Sequence, residues 1–101
     1  MASSAMYLEY VLDLLRDVPE VSCKKMMGEY MLYSEGVLFG GVYDDRFLLK
    51  DTPASRDAFP QEQVPYDGAK PMLLVDREDA ATLAEVVSAM LSELPKPKRR
   101  R

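Results

Sequence analysis

Apolar residues recur at helical spacing near both ends of the chain. In the first segment, from position 3 to 17, Leu8, Val11, Leu12 and Leu15 follow the i, i+3, i+4, i+7 pattern of an amphipathic helix. Ser3 or Ser4 can cap this helix, and Pro19 ends it. A longer apolar stripe predicts a second helix near the other end of the chain. Its members are Leu83, Val86, Val87, Met90, Leu91 and Leu94.

Two features mark the limits of this second helix. Asp76 and Asp79, three positions apart, resemble a capping box in which Asp replaces Glu at the third helical position. Pro95 closes the helix, since proline cannot continue it. The remaining residues, 96–101, form a basic tail that we expect to be disordered, and residues 1–95 are expected to form a single domain.

Short apolar runs separated by turn residues fill the middle of the chain, a pattern typical of β-strands. The runs predict five strands, at 21–26, 29–33, 37–43, 46–50 and 71–75. The first four are joined by short reversals at Ser34-Glu35-Gly36, at Asp44-Asp45 and at Gly28, which is either a tight turn or a bulge. Strands joined by tight turns are antiparallel. A short helix is expected at 53–59, with Thr52 as its cap, and a loop at 60–70.

This order of elements predicts an α+β fold. We expect a two-layer sandwich in which an antiparallel sheet of about five strands carries the N- and C-terminal helices on one face. The second and third strands are apolar on both faces. Under strict alternation, Tyr43 falls on the same face as Val37 and Phe39, opposite Leu38 and Val42. The sheet face without helices therefore carries more apolar surface than a solvated face usually does.

Charge is distributed unevenly along the chain. The basic tail holds five of the 13 basic residues; the other eight oppose all 17 acidic residues, which leaves residues 1–95 at −9. Such a body repels nucleic acid, whose non-specific binding depends on Lys and Arg. No run approaches the roughly 18 apolar residues of a membrane span, and no secretion signal is evident, so we expect a cytoplasmic protein without membrane contact. The 48% apolar composition is typical of globular domains.

Several short motifs resemble the N-terminal domain of the TfoX/Sxy family. They are Lys25-Met26-Met27-Gly28-Glu29-Tyr30, then Leu32-Tyr33, Gly36 and Phe39-Gly40, and finally Asp44-Asp45-Arg46-Phe47-Leu48-Leu49-Lys50. The resemblance extends from about Tyr7 to Leu94. It implies an α+β fold of the secretion-chaperone-like kind and a link to the regulation of natural competence in bacteria. Longer members carry a second, C-terminal domain, which would begin where this sequence ends in KPKRRR. The resemblance implies no catalytic residues.

Two clusters in the strand region suggest a ligand or metal site. Asp44 and Asp45, with Arg46, could hold a hard cation or a phosphate, although adjacent Asp residues in a hairpin are more simply explained by turn geometry. Gly40 and Gly41 mark either a bulge or a close approach, for which helix-to-sheet packing is the favoured explanation. With no histidine and one cysteine, the usual zinc sites are excluded. No metal or cofactor is predicted.

The tyrosines of the sheet are candidates for protein contact. Tyr30, Tyr33 and Tyr43 all lie in predicted strands, and an acidic body makes a protein partner or a homodimer a better match than nucleic acid. Cys23 is expected to be a buried, inert thiol. The basic tail is the only candidate for nucleic-acid contact, through Lys96, Lys98, Arg99, Arg100 and Arg101.

Three functional hypotheses follow from the sequence. The leading one is a non-enzymatic regulatory or adaptor domain that acts by protein contact through the sheet face without helices. The alternative is a small-molecule-binding domain or an enzyme, with a pocket near Gly40, Gly41, Asp44 and Asp45. A weaker alternative is DNA association through the basic tail.

Overall fold

The computed structural model describes residues 5–26 and 28–94. These residues form three helices and six strands. In chain order they are α1 Ala5–Leu14, β1 Val21–Met26, β2 Glu29–Ser34, β3 Val37–Val42, β4 Phe47–Leu49, α2 Pro53–Ala58, β5 Glu62–Gln63, β6 Met72–Leu74 and α3 Ala80–Leu91. All pairings are antiparallel, and the strands lie in the order β1-β2-β3-β4-β6-β5.

The α+β prediction is confirmed, but the sheet has six strands where five were predicted. The additional strand, β5, lies in the segment 60–70 that the sequence indicates as a loop. Two residues, Glu62 and Gln63, are too few to show an alternating pattern, and their strand conformation depends on pairing with Leu73 and Met72 of β6. Non-local pairing of this kind leaves no signal in the sequence of the segment itself.

One hydrophobic core joins the helices to one face of the sheet. Leu32, Leu49 and Leu73 lie in one row across β2, β4 and β6, with Gly40 of β3 between the first two, and all three leucines are fully buried. Side chains from α1 and α3 complete the same cluster, including Val11, Leu15, Leu83, Val87 and Met90. Among the described residues, no helix combines the length and the apolar character that a membrane crossing requires.

Helix caps agree with the sequence for α2 but not for α3. Thr52 and Ser55 form a reciprocal capping box at the start of α2, where Thr52 Oγ1 accepts from the Ser55 N–H at 3.2 Å. The cap of α3 is Asp79, whose side chain accepts from the Thr82 N–H. The predicted Asp76 cap is therefore wrong by one turn. Ser3 and Ser4 lie outside the described residues, as does the basic tail.

Two hairpin loops of two residues each fix the register of the central strands. In the β3–β4 loop, Asp44 and Asp45 have φ angles of 53° and 56°, and Tyr43 and Arg46 exchange both backbone hydrogen bonds at 2.9 and 3.0 Å. Positive φ at both central positions is the requirement of the hairpin turn that matches strand twist, and Asp tolerates it. The simpler interpretation of these acidic residues as a turn is confirmed.

A β-bulge in β3 changes which side chains face the core. Leu32 pairs with Gly40 but Tyr33 pairs with Leu38, so Phe39 is an extra residue relative to β2. Both Phe39 and Val42 are fully buried in the core, although they are three positions apart. The extra residue shifts the alternation by one position. Strict alternation places Tyr43 on the same face as Phe39, and this prediction is wrong. The predicted placement of Tyr43 and Val42 on opposite faces is correct.

Candidate functional site

The sheet face opposite the helices, called the open face below, is covered over only part of its width. On the β4 side, Leu48 lies between Gly41 and Leu74 and is fully buried, although it does not belong to the helix-side core. The loop between β5 and β6 contributes to this coverage, since its residues line a cavity of about 390 Å³ together with Tyr43 and Met72. On the β1–β3 side of the open face, none of the helices that the structure describes lies across the sheet.

Arg46 holds the β5–β6 loop in place. Its guanidinium donates to Gln63 Oε1 at 2.9 Å and to the carbonyl oxygens of Val64 and Pro65 at 3.3 and 3.1 Å. Its Nε also donates to the carbonyl of Tyr43 at 3.2 Å. A planar group with five donors can bridge several acceptors at once. Arg46 therefore joins the β3–β4 hairpin to the loop, and its role is structural rather than that of a free cation.

A groove opens on the open face beside this loop. The groove has a volume of about 420 Å³ and is lined by Met26, Glu29, Met31, Tyr43 and Tyr66; we call it the Tyr43–Tyr66 groove. The two tyrosine rings lie with their centroids 6.1 Å apart and their planes tilted by 54°. Tyr66 is 62% exposed and Met26 is 47% exposed, so the groove is open to solvent on two sides.

The electrostatic character of the groove is negative. Glu29 supplies a carboxylate to its wall, and Glu29 Oε1 accepts from the backbone N–H of Asp44 at 3.1 Å. Burial raises the pKa of Tyr43, and the nearby Tyr66 and Glu29 raise it further. Each of these influences disfavours an additional negative charge on the Tyr43 hydroxyl. None of the five lining residues is basic.

The three candidate tyrosines lie on different faces of the sheet. Tyr33 and Tyr43 are on the open face, where each is half-buried. Tyr30 pairs with Val42 and packs against the helix-side core. The structure therefore brings two of the three tyrosines to one surface and assigns the third a place in the core.

The glycine pair is crowded by strands rather than by a helix. A Cβ atom on Gly40 would collide with the carbonyl oxygen of Leu48 in β4. One on Gly41 would lie 2.7 Å from both the carbonyl oxygen of Tyr30 and the ring of Tyr43. The sequence correctly predicts that other atoms approach these glycines closely. The predicted neighbour was a helix, whereas the atoms nearest to both glycines belong to strands and to Tyr43. Neither glycine is among the residues that line the cavity of about 390 Å³ or the Tyr43–Tyr66 groove.

The remaining candidate residues, for metal binding, thiol chemistry and nucleic-acid contact, do not form a site among the described residues. Asp44 and Asp45 occupy an exposed turn, and no group of three or more potential metal ligands occurs within residues 5–26 and 28–94. Cys23 is exposed on β1, so the expectation of a buried thiol is wrong; an outer strand leaves it uncovered. The nucleic-acid candidates Lys96, Lys98, Arg99, Arg100 and Arg101 lie outside the described residues.

Sequence reasoning missed four of the five groove residues. The sequence predicts Met26, Glu29 and Met31 in or beside strands and Tyr66 in a loop, and it indicates no site role for any of the four. Side chains of a strand alternate between its two faces with a period of two residues. This alternation places Met26, Glu29 and Met31 on one face of the sheet once the register of the hairpin is known. No local signal places Tyr66 beside Tyr43, because Arg46 brings the two together across 20 or so positions of chain.

Comparison with known proteins agrees with the motifs. The model of the TfoX N-terminal domain family matches residues 13–89. A relative from Spirochaeta aurantia, described as an uncharacterized 12.7 kDa protein in the trpE 5′ region, is 34% identical over 105 residues; the match covers all of this chain and 91% of the relative. No solved structure shows a significant match to the chain. The TfoX N-terminal domain is not a known enzyme family. The chain belongs to the TfoX N-terminal domain family.

Proposed function

We propose that this domain is a non-enzymatic regulatory or adaptor module that acts by protein contact through the open face. The observation that carries the proposal is the β1–β3 part of that face. It presents Met26, Met31, Tyr33, Leu38 and Tyr43, none of which lies under a helix. Apolar and aromatic side chains grouped on one surface are typical of protein interfaces, where Tyr and Met are enriched.

The free edge of β1 extends the proposed contact surface. Within residues 5–26 and 28–94, this strand pairs only with β2, so no described strand pairs with the backbone groups along its outer edge. Residues 22–26 are exposed. An unpaired edge of six residues can accept an additional strand from another chain. The edge and the open face meet at Met26, which gives a binding partner both backbone and side-chain contacts.

Family membership supports a regulatory role rather than a catalytic one. We extend the proposal to the regulation of natural competence, which is the role that the resemblance to TfoX implies, and to a cytoplasmic location. The partner is either a second copy of the chain or another protein. Nothing in this proposal requires a metal or a cofactor.

A sedimentation and capture experiment tests the proposed function. Tyr33→Glu places a charge on the open face, and Met6→Glu is the matched control because Met6 is 81% exposed on α1. Self-association of the full chain, measured by sedimentation velocity, or retention of a defined partner should fall with the first variant and stay unchanged with the second. Equal behaviour of both variants and the parent protein would exclude the open face as the contact surface.

A small-molecule-binding role is the alternative proposal. The cavity of about 390 Å³ beside the β5–β6 loop favours it, because Lys50, Asp51 and Lys70 line that cavity with polar and charged groups. Native mass spectrometry of the purified chain should then show a bound species, and Lys70→Gln should remove it. A spectrum with the chain mass alone would contradict this alternative.

A further inference from the structure

We propose that the Tyr43–Tyr66 groove binds a lysine or arginine side chain presented by a basic segment of a partner protein. The inference rests on the proposed function, because it names the chemistry of the partner for the same open face. In this groove two aromatic rings, two thioethers and a carboxylate line a common space.

The aromatic geometry suits a cation. The tilt of 54° between the rings and their separation of 6.1 Å form two sides of a partial cage rather than a stacked pair. A cation within about 6 Å of a ring centroid is attracted by the negative face of the ring. A volume of about 420 Å³ accommodates a guanidinium or ammonium group together with part of its aliphatic stem. Met26 and Met31 offer adaptable apolar contacts to that stem.

The charges around the groove favour the same ligand. Glu29 is held in the wall by the Asp44 N–H, so its carboxylate is positioned before a ligand arrives. One basic residue, Lys24, pairs with Met31 on the open face, but it is exposed and is not among the residues that line the groove. Arg46 is already committed to four oxygen acceptors, and Lys25 pairs with Tyr30 on the helix-side face.

The net charge of the body extends this preference beyond the groove itself. Residues 1–95 carry −9, so a basic segment is attracted at long range and an acidic one is repelled. The groove also borders the β1 edge through Met26, so a segment that pairs along that edge can place one side chain in the groove. A protein segment uses both features, whereas a small ammonium compound uses only the groove.

The test follows the methyl resonances of Met26 and Met31 in the full chain by NMR. Three probes are titrated: a blocked peptide with one arginine among alanines, the same peptide with norleucine in place of arginine, and tetramethylammonium chloride. The arginine peptide should shift both resonances to saturation, and the norleucine peptide should not. If the norleucine peptide binds as tightly, the groove is an apolar site and the proposal is wrong.

Three variants test the groove residues, and a fourth separates this proposal from the wider one. Glu29→Gln and Tyr66→Leu should each weaken binding of the arginine peptide about threefold to tenfold, while Tyr66→Phe should retain it. Tyr33→Glu lies on the open face outside the groove, so it should reduce partner binding and leave peptide binding intact. If partner binding depends on Tyr33 but no probe shifts the methionines, the contact surface stands and the cation site is excluded.

Two other occupants of the groove would contradict the proposal: the chain's own basic tail and a small-molecule cation. In a full-length variant with glutamine at positions 96, 98 and 99–101, the arginine peptide should bind no more tightly than to the parent chain. Tighter binding by at least threefold would identify the tail as the occupant. Saturable shifts with tetramethylammonium but not with the arginine peptide would identify a small ammonium ligand. Either result would overturn the assignment to a partner segment.

Discussion

The ring of Tyr43 lies over Gly41, two positions earlier on the same face of the sheet. A Cβ atom at Gly41 would lie 2.7 Å from the Cε2 atom of that ring and 2.7 Å from the carbonyl oxygen of Tyr30. The absence of a side chain at Gly41 therefore sets the position of Tyr43, and with it one wall of the Tyr43–Tyr66 groove. This glycine links the packing of the sheet to the candidate site.

Substitution of Gly41 by alanine should destabilise the protein and displace Tyr43. We expect a loss of about 1–3 kcal/mol in the free energy of unfolding, because the backbone of β2 cannot yield as a flexible side chain could. Urea unfolding measures this loss, and the Tyr43 ring resonances report the displacement. The control is Gly68, which has a φ of 84° and no atom within 4 Å of its hypothetical Cβ.

At Gly68 the cost of a side chain arises from backbone conformation alone. Gly68→Ala should therefore be less stable than Gly68→Asn, since Asn tolerates positive φ better. Gly41→Ala and Gly41→Asn should show the opposite order, because the larger side chain meets more atoms there. The same order at both positions would contradict the assignment of Gly41 to a steric constraint.

Loss of the Arg46 guanidinium should release the β5–β6 loop. Arg46→Gln removes donors to Gln63, Val64 and Pro65, and we expect a loss of about 1–3 kcal/mol in unfolding free energy. Arg46→Lys should recover only part of this loss, since an ammonium group lacks the planar fork. The Tyr43–Tyr66 ring contact, measured as a nuclear Overhauser effect, should weaken in both variants.

Arg16 provides the control for this comparison. Its ion pair with Asp13 is exposed and lies within one turn at the end of α1. Arg16→Gln should change the unfolding free energy by about 0.5 kcal/mol or less. An effect of Arg46→Gln as small as that of Arg16→Gln would show that the loop is held by packing rather than by the guanidinium.

Stability at high pH should depend on Tyr10. Partial burial and a hydrogen bond to the Glu78 carboxylate raise the pKa of Tyr10 to about 12. The folded chain holds this phenolic proton more tightly than the unfolded chain, in which the pKa is about 10. The resulting stabilisation is present below pH of about 10 and is lost as the pH rises through the folded pKa.

Titration of tyrosinate absorbance measures the Tyr10 pKa directly. Tyr10→Phe should remove the component that titrates near 12, and Glu78→Gln should lower its pKa towards the ordinary value. Both variants should lose stability less steeply between pH of about 10 and 12 than the parent chain does. A Tyr10 pKa that does not change in Glu78→Gln would contradict the hydrogen bond between α1 and the segment before α3.

Local sequence signals determined most of the secondary structure. The spacing of Leu8, Val11 and Leu15 gave α1, and Asp44-Asp45 gave the β3–β4 turn. These predictions succeed because helical period and turn conformation depend on residues within a few positions of each other. The TfoX resemblance likewise lies in short motifs that the chain carries in order, and it identified the family.

Tertiary structure decided which side chains meet. The extra residue at Phe39 moves Tyr43 to the open face, and the pairing of β5 with β6 creates a strand that its own sequence does not indicate. Arg46 brings Tyr66 to Tyr43 through contacts with a segment far along the chain. Register, bulges and loop docking depend on non-local hydrogen bonds and packing, so the periodicity of one segment cannot specify them. The sequence by itself determined the class of fold and the family, and the tertiary structure alone assembled the groove.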